Sequence, residues 1–137
     1  MKFPDWLRVY GDIDYRGECP TEAAEQAAFF ARIRKEYPDT WGKLALHPKN
    51  EGKRRGGQFR QLASDKALGL NPGAADIIIP VGFACEMKRK DHTKSRWQEG
   101  QIKYLKAVHD TGGFACVALG WEAAWRALEE WIAQSSV

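Results

Sequence analysis

The stretch ADIII at 75–79 is followed by Pro80, Val81 and Gly82 and then by FACEMKR at 83–89. Isoleucines clustered between turn residues predict a strand, and the second segment alternates as a strand does. Three linking residues exclude a parallel crossover, which needs about a dozen. The two strands must therefore form an antiparallel hairpin. Alternation in the second strand puts Phe83, Cys85 and Met87 on one face and Ala84, Glu86 and Lys88 on the other. Asp76, near the start of the first strand, then comes within reach of Glu86 across the ladder if the two share a face.

That juxtaposition has a chemical consequence. Two clustered carboxylates repel, and a hard divalent cation between them relieves the repulsion. Lys88 projects beside them, where an ammonium can orient or help deprotonate a water, or stabilise charge on phosphoryl oxygens. Asp76 and Glu86 are thus candidate metal ligands and Lys88 a candidate electrostatic partner, with Mg²⁺ or Mn²⁺ the natural ion. The competing reading is a surface hairpin whose charges face water.

The rest of the chain supplies the frame. Residues 1–20 read as an irregular leader whose Phe3, Trp6, Tyr10 and Tyr15 pack on the domain or a partner. Thr21 is a candidate N-cap for a helix over 22–36, stopped by Pro38. WGKLALHP, with Trp41, Leu44 and Leu46 as apolar members, predicts a short strand, NEGKRRGG a loop, and QFRQLASDKALGL a helix ended by Gly69 and the turn at 71–73. WQEGQIKYLKAVHD predicts a helix stopped by Gly112 and Gly113, FACVAL a strand, and the stripe Trp121, Ala124, Trp125, Leu128, Trp131, Ile132 a final helix. The order implies an α/β fold with a mixed sheet covered by helices, one domain over 21–137.

At 137 residues with a 44% hydrophobic fraction, the chain can bury a core, yet no apolar run is long enough to span a bilayer. Charges at positions 2, 5 and 8 argue against a secretory signal. Cys19, Cys85 and Cys116 are odd in number and contain no CxxC, which points to a reducing, cytoplasmic setting. The net charge is +3, and the basic residues gather at His47, Lys49, Lys53, Arg54, Arg55 and Arg60, and again at Lys88, Arg89, Lys90, His92, Lys94 and Arg96. Two such clusters could line a groove for phosphates; the bland alternative is two solvated loops. His47 and His92 are candidates to touch phosphate, and Trp97 to touch nucleic acid. His109, near a helix end, is read as structural, as are Cys85, Cys116 and Trp41, while Trp121, Trp125 and Trp131 fit core or dimer contacts.

Several separated motifs, taken together, resemble the VRR-NUC family of the PD-(D/E)xK nuclease superfamily. GAADIIIPVGFACEMKRK resembles its catalytic core, HPKNEGKR its strand and basic loop, QIKYLKAVHDTGGFACVA its glutamine-bearing helix and following strand, and TEAAEQAAFF its first helix. The likeness runs from about 21 to 119 and implies a restriction-endonuclease-like sheet of four strands flanked by helices. It implies Glu22, Asp76 and Glu86 at the metal and Asp76, Glu86, Lys88 and Gln101 in catalysis, with Glu25 the rival of Glu22 and Gln26 one turn later. Asn50 and Arg54 match the asparagine and basic residue of the family's loop, and with Lys49, Lys53, Arg55, Arg89, Lys90, Lys94 and Arg96 of the two basic clusters they are the candidate nucleic-acid contacts. Ala75 stands where a proline often precedes the aspartate, and the very short hairpin leaves little room for a specificity loop.

The resemblance further implies a metal-dependent endonuclease acting on DNA, structured or branched, as a homodimer in a bacterial or phage-infected cell. Two other classes compete: a catalytically silent nucleic-acid-binding or assembly protein, and an enzyme acting on a small phosphorylated molecule in a closed pocket.

Overall fold

The computed structural model describes residues 1–48, 67–69, 71 and 73–135. Its elements run β1 (Arg8–Tyr10), α1 (Glu22–Glu36), α2 (Trp41–Leu44), β2 (Ile77–Ile79), β3 (Phe83–Lys88), a 3-10 turn (His92–Lys94), α3 (Gln101–Asp110), β4 (Phe114–Leu119) and α4 (Trp121–Ser135). The strands form one mixed sheet in the order β1-β4-β3-β2. β3 is antiparallel to β2 and parallel to β4, and β1 is parallel to β4. The predicted helix over 58–70 and the first basic cluster from Lys49 onward lie outside the described residues apart from residues 67–69.

The hairpin forms because its turn is short and its strands match. Gly82 donates its N–H to the Ile79 carbonyl at 3.2 Å, closing a turn with Pro80 at its second position. Val81 takes φ 89° in the next position, which usually belongs to glycine, and its side chain stands in solvent. Ile77 pairs with Cys85 and Ile79 with Phe83, so the apolar members of both strands share one face.

Both faces of the sheet are covered. On one, Phe29 and Ile33 of α1 and Trp125, Leu128 and Trp131 of α4 pack over Ile77, Phe83, Cys85, Met87 and Cys116. On the other, Leu105 of α3 and Leu7 of the N-terminal segment cover Ala84, Ala115 and Val117. β3 is buried along its whole length. Glu86 and Lys88, on the Ala84 side, are therefore core-depth charges rather than solvated ones, contrary to the surface-hairpin alternative.

Three expectations change. Phe3, Trp6 and Tyr10 pack on the domain, yet the leader is not irregular throughout: Arg8–Tyr10 pair with Cys116–Ala118 as the parallel edge strand of the sheet. The expected strand at WGKLALHP is instead the short helix α2. Gly42 donates to the Tyr37 carbonyl at 2.8 Å, where a side chain would strike the backbone of Ile33 and Tyr37, and Trp41 packs edge-on against Trp131. Its alternation was fortuitous, since Leu44 and Leu46 are both exposed; only Leu46 reaches the sheet, in a single bridge to Ile78. The helix expected from residue 97 starts at Gln101, because Gly100 before it sits at φ 87°.

Among the described residues, no helix is long and apolar enough to cross a membrane.

Candidate metal and phosphate site

The β2–β3 register fixes the first contact. Ile77 faces Cys85, so Asp76, one residue back, stands opposite Glu86, one residue on. The Asp76 Oδ2 accepts the Met87 N–H at 2.9 Å, which turns its carboxylate toward β3. From the outer edge, His47 Nδ1 lies 2.8 Å from the Asp76 main-chain carbonyl. A carbonyl can only accept, so that nitrogen carries a proton. His47 thus touches the backbone of a site residue.

Glu86 and Lys88 are each 1% exposed. Burying two charges is tolerated only with partners, and α3 supplies them through Gln101. Gln101 Nε2 donates to Glu86 Oε1 at 2.9 Å, while its Oε1 accepts from Lys88 Nζ at 3.1 Å and from the Gln98 N–H at 2.8 Å. Both groups facing that oxygen are pure donors, so only one orientation of the amide satisfies the network. Lys88 Nζ also donates to the Arg96 carbonyl at 2.8 Å, sits 3.6 Å from Glu86 Oε1, and lies 5.4 Å from the centre of the Trp97 ring.

One atom is left over. Glu86 Oε2 is buried without a hydrogen-bond partner. Burial, followed by the negative charge of Asp76 and a hydrogen bond that the protonated carboxyl can share with it, pushes Glu86 well above its ordinary value of 4.5; Lys88 opposes this without cancelling it. A carboxylate held in this way is a poor resident in the metal-free protein and a good ligand for a cation.

The first helix separates its two glutamates. Glu22, in the first turn of α1, has Oε1 4.0 Å from Lys88 Nζ and accepts the Ser95 hydroxyl at Oε2 at 2.7 Å. Glu25 is buried, and its Oε2 accepts the Trp121 N–H at 3.0 Å, capping α4. Gly120 makes this possible: it has φ 94°, and a Cβ there would strike the Glu25 carboxylate. Glu22 is therefore the glutamate beside Lys88, and Glu25 closes a helix.

Among the described residues, no group of three His, Cys, Asp or Glu side chains is close enough to hold an ion unaided. Glu22 meets the pair through Lys88, which lies 4.0 Å from it and 3.6 Å from Glu86. The pair Asp76 and Glu86 suits Mg²⁺ or Mn²⁺, which takes one or two carboxylates and completes its shell with water and phosphate oxygens. The partnerless buried oxygen on Glu86 is the atom such an ion would satisfy.

The second basic cluster is less free than its sequence suggests. Arg89 donates to the carbonyls of Pro20 and Cys19 at 3.0 and 2.6 Å, Lys94 to that of Gly17 at 2.7 Å, and Lys90 pairs with Glu122 at 3.2 Å. The Arg96 side chain is exposed. His92 is buried, with Nε2 3.0 Å from the Ile13 carbonyl and Nδ1 3.1 Å from the Met1 amine, so it anchors the N-terminal segment instead of facing phosphate. Trp97 likewise donates to the Lys2 carbonyl at 2.8 Å and packs beneath the sheet, where it offers no open stacking platform. Asp91, lowered to about 2 by the Thr93 hydroxyl and the Gly17 amide, ties the same loop to the same segment. Lys49, Asn50, Lys53, Arg54 and Arg55 lie outside the described residues.

Sequence reasoning did not find Ser95, the Arg96 carbonyl or the N-terminal clamp. A serine in a basic loop carries no periodic signal, and a carbonyl contact is open to any residue type.

No family model matches the sequence, and no curated protein matches it. A solved structure described as a VRR_NUC domain protein superposes with a TM-score of 0.66 at 17% sequence identity, covering 87% of this chain and 92% of that one. At that identity the likeness is one of fold, and the chain has a nuclease-like α/β fold shared with that VRR_NUC domain protein.

Proposed function

We propose that this protein is a metal-dependent endonuclease that hydrolyses phosphodiester bonds in DNA, with structured or branched DNA as its substrate. The observation that carries the reading is the buried, partnerless oxygen of Glu86 opposite Asp76, beside a lysine held by Gln101. A structural ion pair would satisfy its own atoms; this one leaves a ligand position open.

Asp76 and Glu86 would hold Mg²⁺ or Mn²⁺. When bound, the ion supplies Lewis acidity and lowers the pKa of a coordinated water. Gln101 keeps the Glu86 carboxylate turned and keeps the Lys88 ammonium beside it. Lys88 donates to the Arg96 carbonyl and the Gln101 oxygen and lies between Glu86 and Glu22, which fix the ammonium where its field would act on a phosphoryl oxygen or the attacking water. Trp97 and the sheet exclude bulk water around that ammonium, which strengthens its field. Glu22 faces Lys88 from α1 and balances its charge. Arg96, exposed at the mouth, is suited to a backbone phosphate.

A branched duplex presents two strands, and a domain of this size with one site would meet them as a homodimer. The test is cleavage of linear, nicked, flap and four-way-junction DNA with Mg²⁺, Mn²⁺ or EDTA, comparing wild type with Glu86→Ala. Metal-dependent cutting that the substitution abolishes is expected. Uncut substrates despite bound metal would favour a silent binding protein, and full activity in Glu86→Ala would remove the site assignment.

A further inference from the structure

Between Lys88 and α3 the chain makes a loop whose only polar side chain bonded to Glu22 is Ser95 among the described residues. The Ser95 oxygen accepts the Arg89 N–H at 3.0 Å, so its single proton is committed to Glu22 Oε2, 2.7 Å away. This leaves Glu22 Oε1 alone on the Lys88 side, 4.0 Å from Nζ. The glutamate itself is 38% exposed and has rotamer freedom to lose, so something must hold it. The loop that does so is fixed from behind: Arg89 binds the carbonyls of Cys19 and Pro20, and Lys94 that of Gly17.

We infer that Ser95 is a positioning residue that locks the Glu22 carboxylate with one oxygen toward Lys88, the ammonium that also contacts Glu86, and so raises the affinity of the Asp76–Glu86 pair for a divalent cation. The inference rests on the metal-dependent reading above. Ser95 touches neither substrate nor ion; it acts through Glu22. Hydrogen bonds of this rank, one step behind a metal site, commonly carry about 10- to 100-fold in metal affinity. Because Glu22 is half-open to water and outside the Asp76–Glu86 pair, the lower end is expected, about tenfold.

The test is a calorimetric titration of Mn²⁺ alone into the full chain, with thermal unfolding recorded for each variant. Ser95→Ala should weaken Mn²⁺ binding about tenfold, Ser95→Thr should restore it, and Glu86→Ala should abolish it. In a Glu22→Ala background, Ser95→Ala should cost nothing further, since two residues acting through one contact are not additive. Should Ser95→Ala fail to fold, Ser95→Thr and Glu22→Ala still decide: a tenfold loss in Glu22→Ala with wild-type binding in Ser95→Thr is required. Wild-type binding in Ser95→Ala, or in Glu22→Ala, overturns the role of Ser95 while leaving the metal site intact. Absence of Mn²⁺ binding by the wild type, or equal binding by Glu86→Ala, overturns the metal reading and this inference together.

Discussion

Replacing Glu86 with glutamine should make the metal-free protein more stable while taking away its response to metal. At 3.6 Å, the attraction between Glu86 and Lys88 amounts to about 4 to 5 kcal/mol at an effective dielectric constant near 20. Removing a carboxylate from water costs several kcal/mol, and the charge of Asp76 adds to that cost. The balance lies against ionisation, as the raised pKa of Glu86 records. Glutamine keeps an oxygen for Gln101 and carries at every pH an N–H donor toward the Asp76 carboxylate, which the Glu86 carboxyl can supply only when protonated. Relieving one buried, unsatisfied polar atom is worth about 1 to 3 kcal/mol. For a chain of this length that corresponds to a rise in Tm of about 4 to 12 °C.

The assay is thermal unfolding at neutral pH in EDTA and in excess Mg²⁺ or Mn²⁺. Wild type should gain about 2.7 kcal/mol at a hundred times Kd, and Glu86→Gln little or nothing. The pH dependence has a fixed sign. The folded state holds the Glu86 proton more tightly than the unfolded chain, so its contribution is fully present below pH 4.5 and is lost as pH rises through the elevated folded value. Metal-free wild type should therefore lose stability over that interval relative to Glu86→Gln. A variant less stable than wild type in EDTA, or one that metal stabilises equally, would refute the reasoning.

Gln101→Ala removes a partner from Glu86, Lys88 and the Gln98 N–H together, and should cost about 1 to 3 kcal/mol in denaturant unfolding. Its turnover should fall about a hundredfold through misplacement of both charges; unchanged turnover would count against Gln101. Glu25→Ala uncaps α4 and should lower stability by about 1 to 2 kcal/mol, yet leave Mn²⁺ affinity as it was, which distinguishes it from Glu22→Ala. Deleting residues 1–20 strips the β1 edge strand and Leu7, whose burial alone is worth about 1.5 to 3 kcal/mol, so cooperative unfolding should be lost. A sharp transition near the full-length midpoint would show that the segment is dispensable.

The hairpin and the final helix were legible in the sequence because each rests on a local rule. Three residues cannot carry a parallel crossover, and a tryptophan-rich stripe at helical spacing has one way to be buried. Asp76 opposite Glu86 followed from the hairpin alone. The strand expected at 41–48 failed because alternation over so few residues is weak evidence, and tertiary contacts of Gly42 and Trp41 outweighed it. The strand within the N-terminal segment is invisible in the sequence for a different reason. β1 is three residues long and gains its identity from Cys116, Val117 and Ala118, more than a hundred positions away. His92, Trp97 and Arg89 looked like nucleic-acid contacts by type, but each is engaged by a main-chain carbonyl of that segment, which composition cannot reveal.

The site's position follows from the mixed pairing of β3. Antiparallel pairing brings the start of β2, with Asp76, to the carboxyl end of β3, and parallel pairing brings the carboxyl end of β4 to the same edge. Chain that leaves that edge must turn back as a helix, so α3 and α4 both begin there, with Gln101 and Trp121 as first residues. α1 joins them by placing Glu22 in its own first turn beside Lys88. Three helices thus begin at this edge, and each N-terminus carries partial positive charge and N–H groups without helical partners. At α4 that charge is met by Glu25, and at α1 by the side-chain oxygen of Thr21. Gln101 starts α3 from Gly100, which offers no side-chain cap. The uncapped end lies next to Glu86 and Lys88, and Gln101, its first residue, is the side chain that joins them.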